Sequence, residues 1–230
     1  EHVVGILHPQ TTSQPWPRAF KYQLEFFSID VSPAKVQLEI ETYLKEHPQE
    51  YVLTVFSERL NSVIPAYKDI GFLHAWNNVL LEHKLKSDLS DVKLPVDMHI
   101  LPIKTIEDVA IINALDPDYP SSTLGLENEN IINLMATYQG EVSAKAQAIF
   151  LKPPFAYIAD MFTQTKFRRK GLSAALLQRI HFMAQKRGFT HTILMPSRMT
   201  REIELYQKYL YQEVDQMAFL MPSRSPLAAK

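Results

Sequence analysis

The 230-residue chain contains no cysteine. That excludes a disulfide framework, a thiolate metal site and a cysteine nucleophile, and it fits a reducing compartment, so a cytoplasmic location is expected. An excess of either charge is missing too: the formal net charge is −1. A globally basic surface of the kind that binds nucleic acid non-specifically is therefore excluded, and no nucleic-acid partner is expected. No run reaches the ~18 apolar residues that cross a bilayer, and the opening EHVVGILHPQ has neither the basic start nor the long apolar stretch of a secretory leader, so no membrane partner is expected. Histidines are scattered at His74, His83, His99, His181 and His191 with no H-x-x-x-H spacing, and no metal site is read from them. What is present is ordinary for a globular protein. Hydrophobic residues make up 46% and charged ones 21%, enough apolar material for one large core or two small ones.

The patterns along the chain predict a mixed α/β fold. Phe20, Tyr22, Leu24 and Phe26 alternate with Lys21, Gln23 and Glu25, a period of two that predicts a half-buried strand. Ser32-Pro33 opens a predicted helix from Ala34 to Glu46 with Val36, Ile40, Tyr43 and Leu44 on its apolar stripe, and Tyr51 to Phe56 reads as the next strand. The polar, aperiodic stretch from Lys84 to Leu94 is taken as a boundary between a domain at 1–90 and another at 91–230. The second begins with a strand in which Val96, Met98 and Ile100 alternate. Thr105-x-x-Asp108 then has the form of a capping box for a helix through Ala114, with Ile106, Val109 and Ile112 as its buried residues. Ile131 to Tyr138 and Val142 to Leu151 flank Gln139-Gly140-Glu141 as a hairpin, and Pro153-Pro154 turns the chain into another strand. A last strand is predicted over Val214 to Leu220, followed by a loose tail.

The stretch from Ala156 to Ala175 stands out. An apolar strand runs into Lys166, Arg168, Arg169 and Lys170, reaches Gly171, and continues as an amphipathic helix carrying Leu172, Leu176, Ile180 and Met183. A helix that begins near Gly171 directs free N–H groups and the positive end of its dipole into the preceding loop, and glycine lets an anion approach the backbone. The pattern points to a phosphate or pyrophosphate ligand. A second feature is an internal echo: SERLNSVIPAYKDIGF, ending at Phe72, has the layout of SRMTREIELYQKYLY, ending at Tyr211. Tyr67 and Tyr206, like Phe72 and Tyr211, are 139 positions apart. We read the echo as an internal duplication whose first copy, with Val31-Ser32-Pro33-Ala34-Lys35 where the second has its basic glycine loop, lost its anion site.

Arg168-Arg169-Lys170-Gly171-Leu172-Ser173 resembles the R/Q-x-x-G-x-G/A loop of the GNAT acyltransferase superfamily, with Ser173 where the family has glycine or alanine. Met161-Phe162-Thr163 falls where that family has its L-x-V strand. The run from Ile203 to Tyr211 resembles its A-x-x-L-Y-x-x-x-G-F segment, with Leu210-Tyr211 in place of Gly-Phe. The resemblance spans about Pro95 to Met221 and implies a GNAT-like central mixed sheet with flanking helices, here in two copies.

It also implies a function. Acetyl-coenzyme A would be the donor, bound by Met161, Phe162, Thr163, Arg168, Arg169, Lys170, Gly171, Leu172, Ser173 and Ala174. Tyr206 would serve the departing thiolate. The general base is left open among Asp160, which is the sole carboxylate on the strand before the loop, Glu141, Glu127, Glu129 and a water relay. The reaction implied is N-acetylation of a small-molecule or peptide amine by direct transfer. The acceptor and any homodimerisation stay open. A non-catalytic acyl-coenzyme A binder of the same fold is the alternative.

Overall fold

The computed structural model describes residues 3–7, 24–117, 120–121, 123–196 and 202–223. Part of the predicted first strand, with Phe20 and Tyr22, lies outside the described residues, as does the tail after Ser223. The chain forms two compact units, one of residues 1–81 with 195–230 and the other of residues 82–194. Residues 195–230 thus pack with the N-terminal segment, a grouping different from a single cut after residue 90.

In the first unit β1 (Val3–Leu7) runs antiparallel to β2 (Leu24–Ile29), and β2 runs parallel to β3 (Tyr51–Phe56). The crossover between β2 and β3 is α1 (Pro33–Glu46), with Pro33 in its first turn, where its missing N–H costs nothing. α2 (Leu60–Asp69) leads into β4 (Phe72–Lys84). The core joins Leu24 and Phe26 of β2 with Val36 and Ile40 of α1, Leu60, Ile64 and Tyr67 of α2, and Leu53 and Val55 of β3. The period-two and period-3.6 stripes therefore meet.

The second unit opens with β5 (Met98–Pro102), α3 (Ile106–Leu115), β6 (Ile131–Tyr138), β7 (Glu141–Lys152) and β8 (Phe155–Thr163). β5 to β8 form an antiparallel meander. The turn between β6 and β7 has Gln139 at φ 52° and Gly140 at φ 81°, the two left-handed residues of a tight hairpin. The α3 capping box is present: the Thr105 hydroxyl accepts from the Asp108 amide, and the Asp108 carboxylate accepts from the Thr105 amide. Val109 and Ile112 are buried. Ile106 is not, because the first helical residue precedes the stripe, and Val96 is fully in solvent because the strand starts only at Met98.

From β8 the chain crosses through α4 (Leu172–Lys186) to β9 (His191–Leu194), which is parallel to β8. β7 buries Ala144, Ala146 and Ala148 at alternate positions, and such small side chains let α4 pack closely on β7 and β8 through its buried Leu176, Leu177 and Ile180.

Back in the first unit, α5 (Glu202–Lys208) precedes β10 (Gln212–Pro222), which pairs antiparallel with β3 and lies between β3 and β4. The meander, the parallel β8–α4–β9 crossover and the parallel β2–β3 pair make the architecture a mixed α/β one.

Candidate active site

In the second unit β8 ends at Thr163, a short 3-10 turn covers Thr165–Phe167, and α4 starts at Leu172 with Gly171 as its N-cap. Gly171 takes φ +85°, a conformation side chains resist, and a Cβ there would point into open space, so nothing but backbone faces the loop at this point. Arg169 is left-handed as well, at φ 64°. The first amides of α4 have no carbonyl within the helix to bond to, and no side chain caps them. A recess in front of them is lined by Thr165, Lys166, Arg168, Arg169 and Lys170. Backbone donors, a helix dipole and cations thus act on one spot, and the residues present fit a pyrophosphate.

Three of the cations also contact neighbouring groups of the protein. Lys166 pairs with Glu141 and lies 4.6 Å from the centre of the Phe167 ring. Lys170 sits 5.9 Å from the centre of the Tyr138 ring. The Arg168 Nε donates to the Thr163 carbonyl at 3.2 Å, which turns that side chain back along the strand end. Arg169 and Lys170 are exposed. The Thr163 and Ser173 hydroxyls share a hydrogen bond of 2.9 Å.

Upstream of the loop β8 carries a bulge. Lys145 of β7 is opposite Phe162 and Gln147 is opposite Ala159, so Asp160 and Met161 together face the single residue Ala146. Asp160 sits at φ 49° in this bulge. The irregularity interrupts the ladder beside Met161 and Phe162, the strand segment named for the donor. Asp160 is exposed, yet the protein crowds its carboxyl group. Its pKa is raised, first by that desolvation and then by the Asp116 carboxylate, while the Lys145 ammonium pulls the other way.

Lys145 and Asp116 were not legible as site residues. Lys145 is one of the most deeply buried side chains in the protein and forms a 3.0 Å ion pair with Asp116, at the C-terminus of α3. The remaining sequence candidates are placed more simply. Glu127 and Glu129 are exposed, and the Glu129 carbonyl accepts from Arg187. Glu141 is exposed and paired with Lys166. His181 is buried and stacks on His83 at 4.7 Å. Among the described residues no group of three His, Cys, Asp or Glu could hold a metal ion, and no helix is long and apolar enough to cross a membrane.

Tyr206 belongs to the first unit. It is on α5, 6% exposed, with its ring 5.8 Å from that of Tyr211 at 65°. Leu210, between them, is left-handed at φ 62°. Tyr67, its counterpart in the echo, is fully buried with its ring 5.8 Å from that of Phe72 at 90°.

Residues 105–210 match the model of the acetyltransferase (GNAT) family. None of the curated proteins compared with the chain matches it. Among solved structures, the GCN5-related N-acetyltransferase from Kribbella flavida is similar over 99% of this chain and 89% of its own, with 18% identity and a TM-score of 0.71. The GCN5-related N-acetyltransferase from Sphaerobacter thermophilus is similar over 98% of this chain and 79% of its own, with 12% identity and a TM-score of 0.65. A tandem GNAT protein from the clavulanic acid biosynthesis pathway is similar over 88% and 76%, with 10% identity and a TM-score of 0.60. The fold is the GNAT fold. The segment 105–210, which carries the loop, the bulged strand and Tyr206, is the part of the chain that matches the acetyltransferase (GNAT) family model.

Proposed function

We propose that this protein transfers the acetyl group of acetyl-coenzyme A to the nitrogen of an amine in a ternary complex. The observation that carries the reading is the junction of β8 and α4, where a left-handed Gly171, uncapped helix amides and the cations of the loop converge, as a pyrophosphate requires. The bulge beside Met161 and Phe162 supports it, since interrupted pairing frees backbone groups for an extended arm of the donor.

In this reading the amine nitrogen bonds to the acetyl carbon as the carbon–sulfur bond breaks. Asp160 accepts the amine's proton and Tyr206 supplies one to the departing thiolate. With no cysteine in the chain, the thiol that would form an acyl-enzyme from a thioester is missing, which favours direct attack. The acceptor is a small-molecule or peptide amine, and the reaction is assigned to the cytoplasm.

A tandem origin belongs to the same proposal. β3–α2–β4 repeats the order of β9–α5–β10, and Gly71 at φ +94° occupies the place of Leu210. The first copy would bind no donor, because α1 starts with proline and its Lys35 pairs with Glu39 at 3.8 Å.

The test is calorimetric titration with acetyl-coenzyme A on the parent and on Gly171→Val, joined to an assay of free coenzyme A release over a panel of amines. One site per chain, lost in the variant while the fold is kept, and amine-dependent release are expected. Two equivalent sites, or unchanged affinity in Gly171→Val, would reject the loop assignment. Tight donor binding without release for any amine would select the non-catalytic binder.

A further inference from the structure

The mechanism above uses Asp160 and leaves unexplained why a lysine is buried one strand away. Lysine in a sheet interior is costly, and a buried ion pair is often no more stabilising than apolar residues of the same size. Lys145 nonetheless sits in β7 between the buried Ala144 and Ala146, with its Nζ 3.0 Å from the Asp116 Oδ2. The pair links the end of α3 to the middle of β7, at the level where β8 bulges. The strand register brackets Asp160 between the partners of Lys145 and Gln147.

We propose that the Asp116–Lys145 ion pair is a positioning and charge-setting device for Asp160. This rests on the reading of Asp160 as the base, and it adds two positioning residues to the site. Lys145, one position along β7 from the residue that Asp160 faces, favours the ionised form of its carboxyl group, and Asp116 opposes it. The two partners therefore act on Asp160 with opposite sign, and Lys145 is the stronger influence.

Several of the other charged and titratable groups on neighbouring elements have partners of their own. On α4, Arg179 pairs with Asp91, His181 stacks on His83, and Lys186 lies over Phe182. On β9, His191 pairs with Glu82 at 3.4 Å, at the far end of β8. At the end of β6, Tyr138 faces Lys170 and Phe167. The charges of Lys145 and Asp116 act on Asp160. Such a cluster suits a base that must stay deprotonated when empty and hold a proton once an amine is pressed against it.

The test reads Asp160 directly in the full chain, by titrating its side-chain carboxyl carbon by NMR, with Asp160→Asn used to assign the signal. Asp116→Asn is expected to lower the midpoint by about one pH unit, and Lys145→Met to raise it by about as much. Lys145→Arg should return it toward the parent. If either single variant fails to fold, the double variant Asp116→Asn/Lys145→Met removes both charges, and its midpoint should lie above the parent's. Acetyl-coenzyme A affinity should be unchanged throughout. Midpoints that do not move, or that move in the same direction in both single variants, overturn the device. Loss of donor binding would instead fault the loop reading, and full turnover in Asp160→Asn the base reading.

Discussion

The hydroxyl groups of Thr163 and Ser173 lie 2.9 Å apart and share a hydrogen bond that ties the last residue of β8 to the first turn of α4. The loop motif that this segment resembles has glycine or alanine where this chain has Ser173. The serine hydroxyl is used within the protein, across the strand and helix that flank the cradle. Ser173→Ala should therefore cost about 1 kcal/mol of stability and leave acetyl-coenzyme A affinity within about threefold. Denaturant unfolding and calorimetry measure the two. A tenfold loss of affinity at unchanged stability would mean that the hydroxyl binds the ligand itself.

Leu210 makes the opposite case. It replaces the glycine of the motif, yet it keeps the left-handed backbone at φ 62°, where a β-carbon is strained, and its side chain is 67% exposed. The C-terminus of α5 imposes the conformation, since the Tyr211 amide reaches back to the Tyr206 carbonyl at 3.2 Å. Leu210→Gly should stabilise the protein by about 1 kcal/mol. Gly71, in the matching place after α2 at φ +94°, should lose a similar amount on change to alanine. Melting temperatures that move in the same direction in the two variants would contradict this account.

Much of the local structure around the candidate site was legible in the sequence. Glycine before a periodic apolar run marks where α4 starts, Thr105 and Asp108 form their capping box as spaced, and Gln139-Gly140 makes its turn. What escaped depends on contacts distant in sequence. The bulge at Asp160 has no glycine to announce it, because aspartate tolerates a left-handed backbone. Lys145 in the run Ser143-Ala144-Lys145-Ala146 reads as the outward member of an alternation. Only a covering helix end that brings Asp116 to it makes the same position interior. The packing of residues 195–230 with the N-terminal segment has a similar cause, since β10 pairs with β3, which is over 150 positions earlier.

His181 should make the protein acid-sensitive. The ring is 5% exposed and stacked on His83, and burial first, then the charge of His83, lower its pKa from 6.5 to about 3. The unfolded chain takes up a proton on this histidine below about pH 6.5, while the folded protein refuses it down to about pH 3. Its contribution is thus complete above pH 6.5 and is lost as pH falls through that window, by up to about 1.4 kcal/mol per unit. Between pH 7 and 5, urea unfolding of His181→Leu should show a fall in stability smaller than the parent's by about 2 kcal/mol. Parallel falls in the two proteins would place the acid sensitivity elsewhere.

The two tyrosines of the echo test the proposed tandem reading, in which only the second copy is active. Tyr67 is fully buried, and its oxygen and that of Ser28 lack a hydrogen bond of normal geometry although they face each other. Its pKa is raised, first by burial, with the Ser28 hydroxyl acting in the other direction. A phenol oxygen sealed in this way meets no substrate, and removing a buried polar atom without a good partner is close to neutral for stability. Tyr67→Phe should therefore leave turnover unchanged and stability within about 1 kcal/mol of the parent. Tyr206 packs against Tyr211 in the matching arrangement, and its phenol is the group assigned to the leaving thiolate. General acid help from a group in this role is typically worth ~100 to 10,000-fold. Tyr206→Phe should lower kcat by a factor in that range while acetyl-coenzyme A affinity holds, because the ring still packs. If the two phenylalanine variants lose equal activity, or if the parent shows ping-pong kinetics with an isolable acetyl-enzyme, Tyr206 is not the acid and the amine does not attack the donor directly.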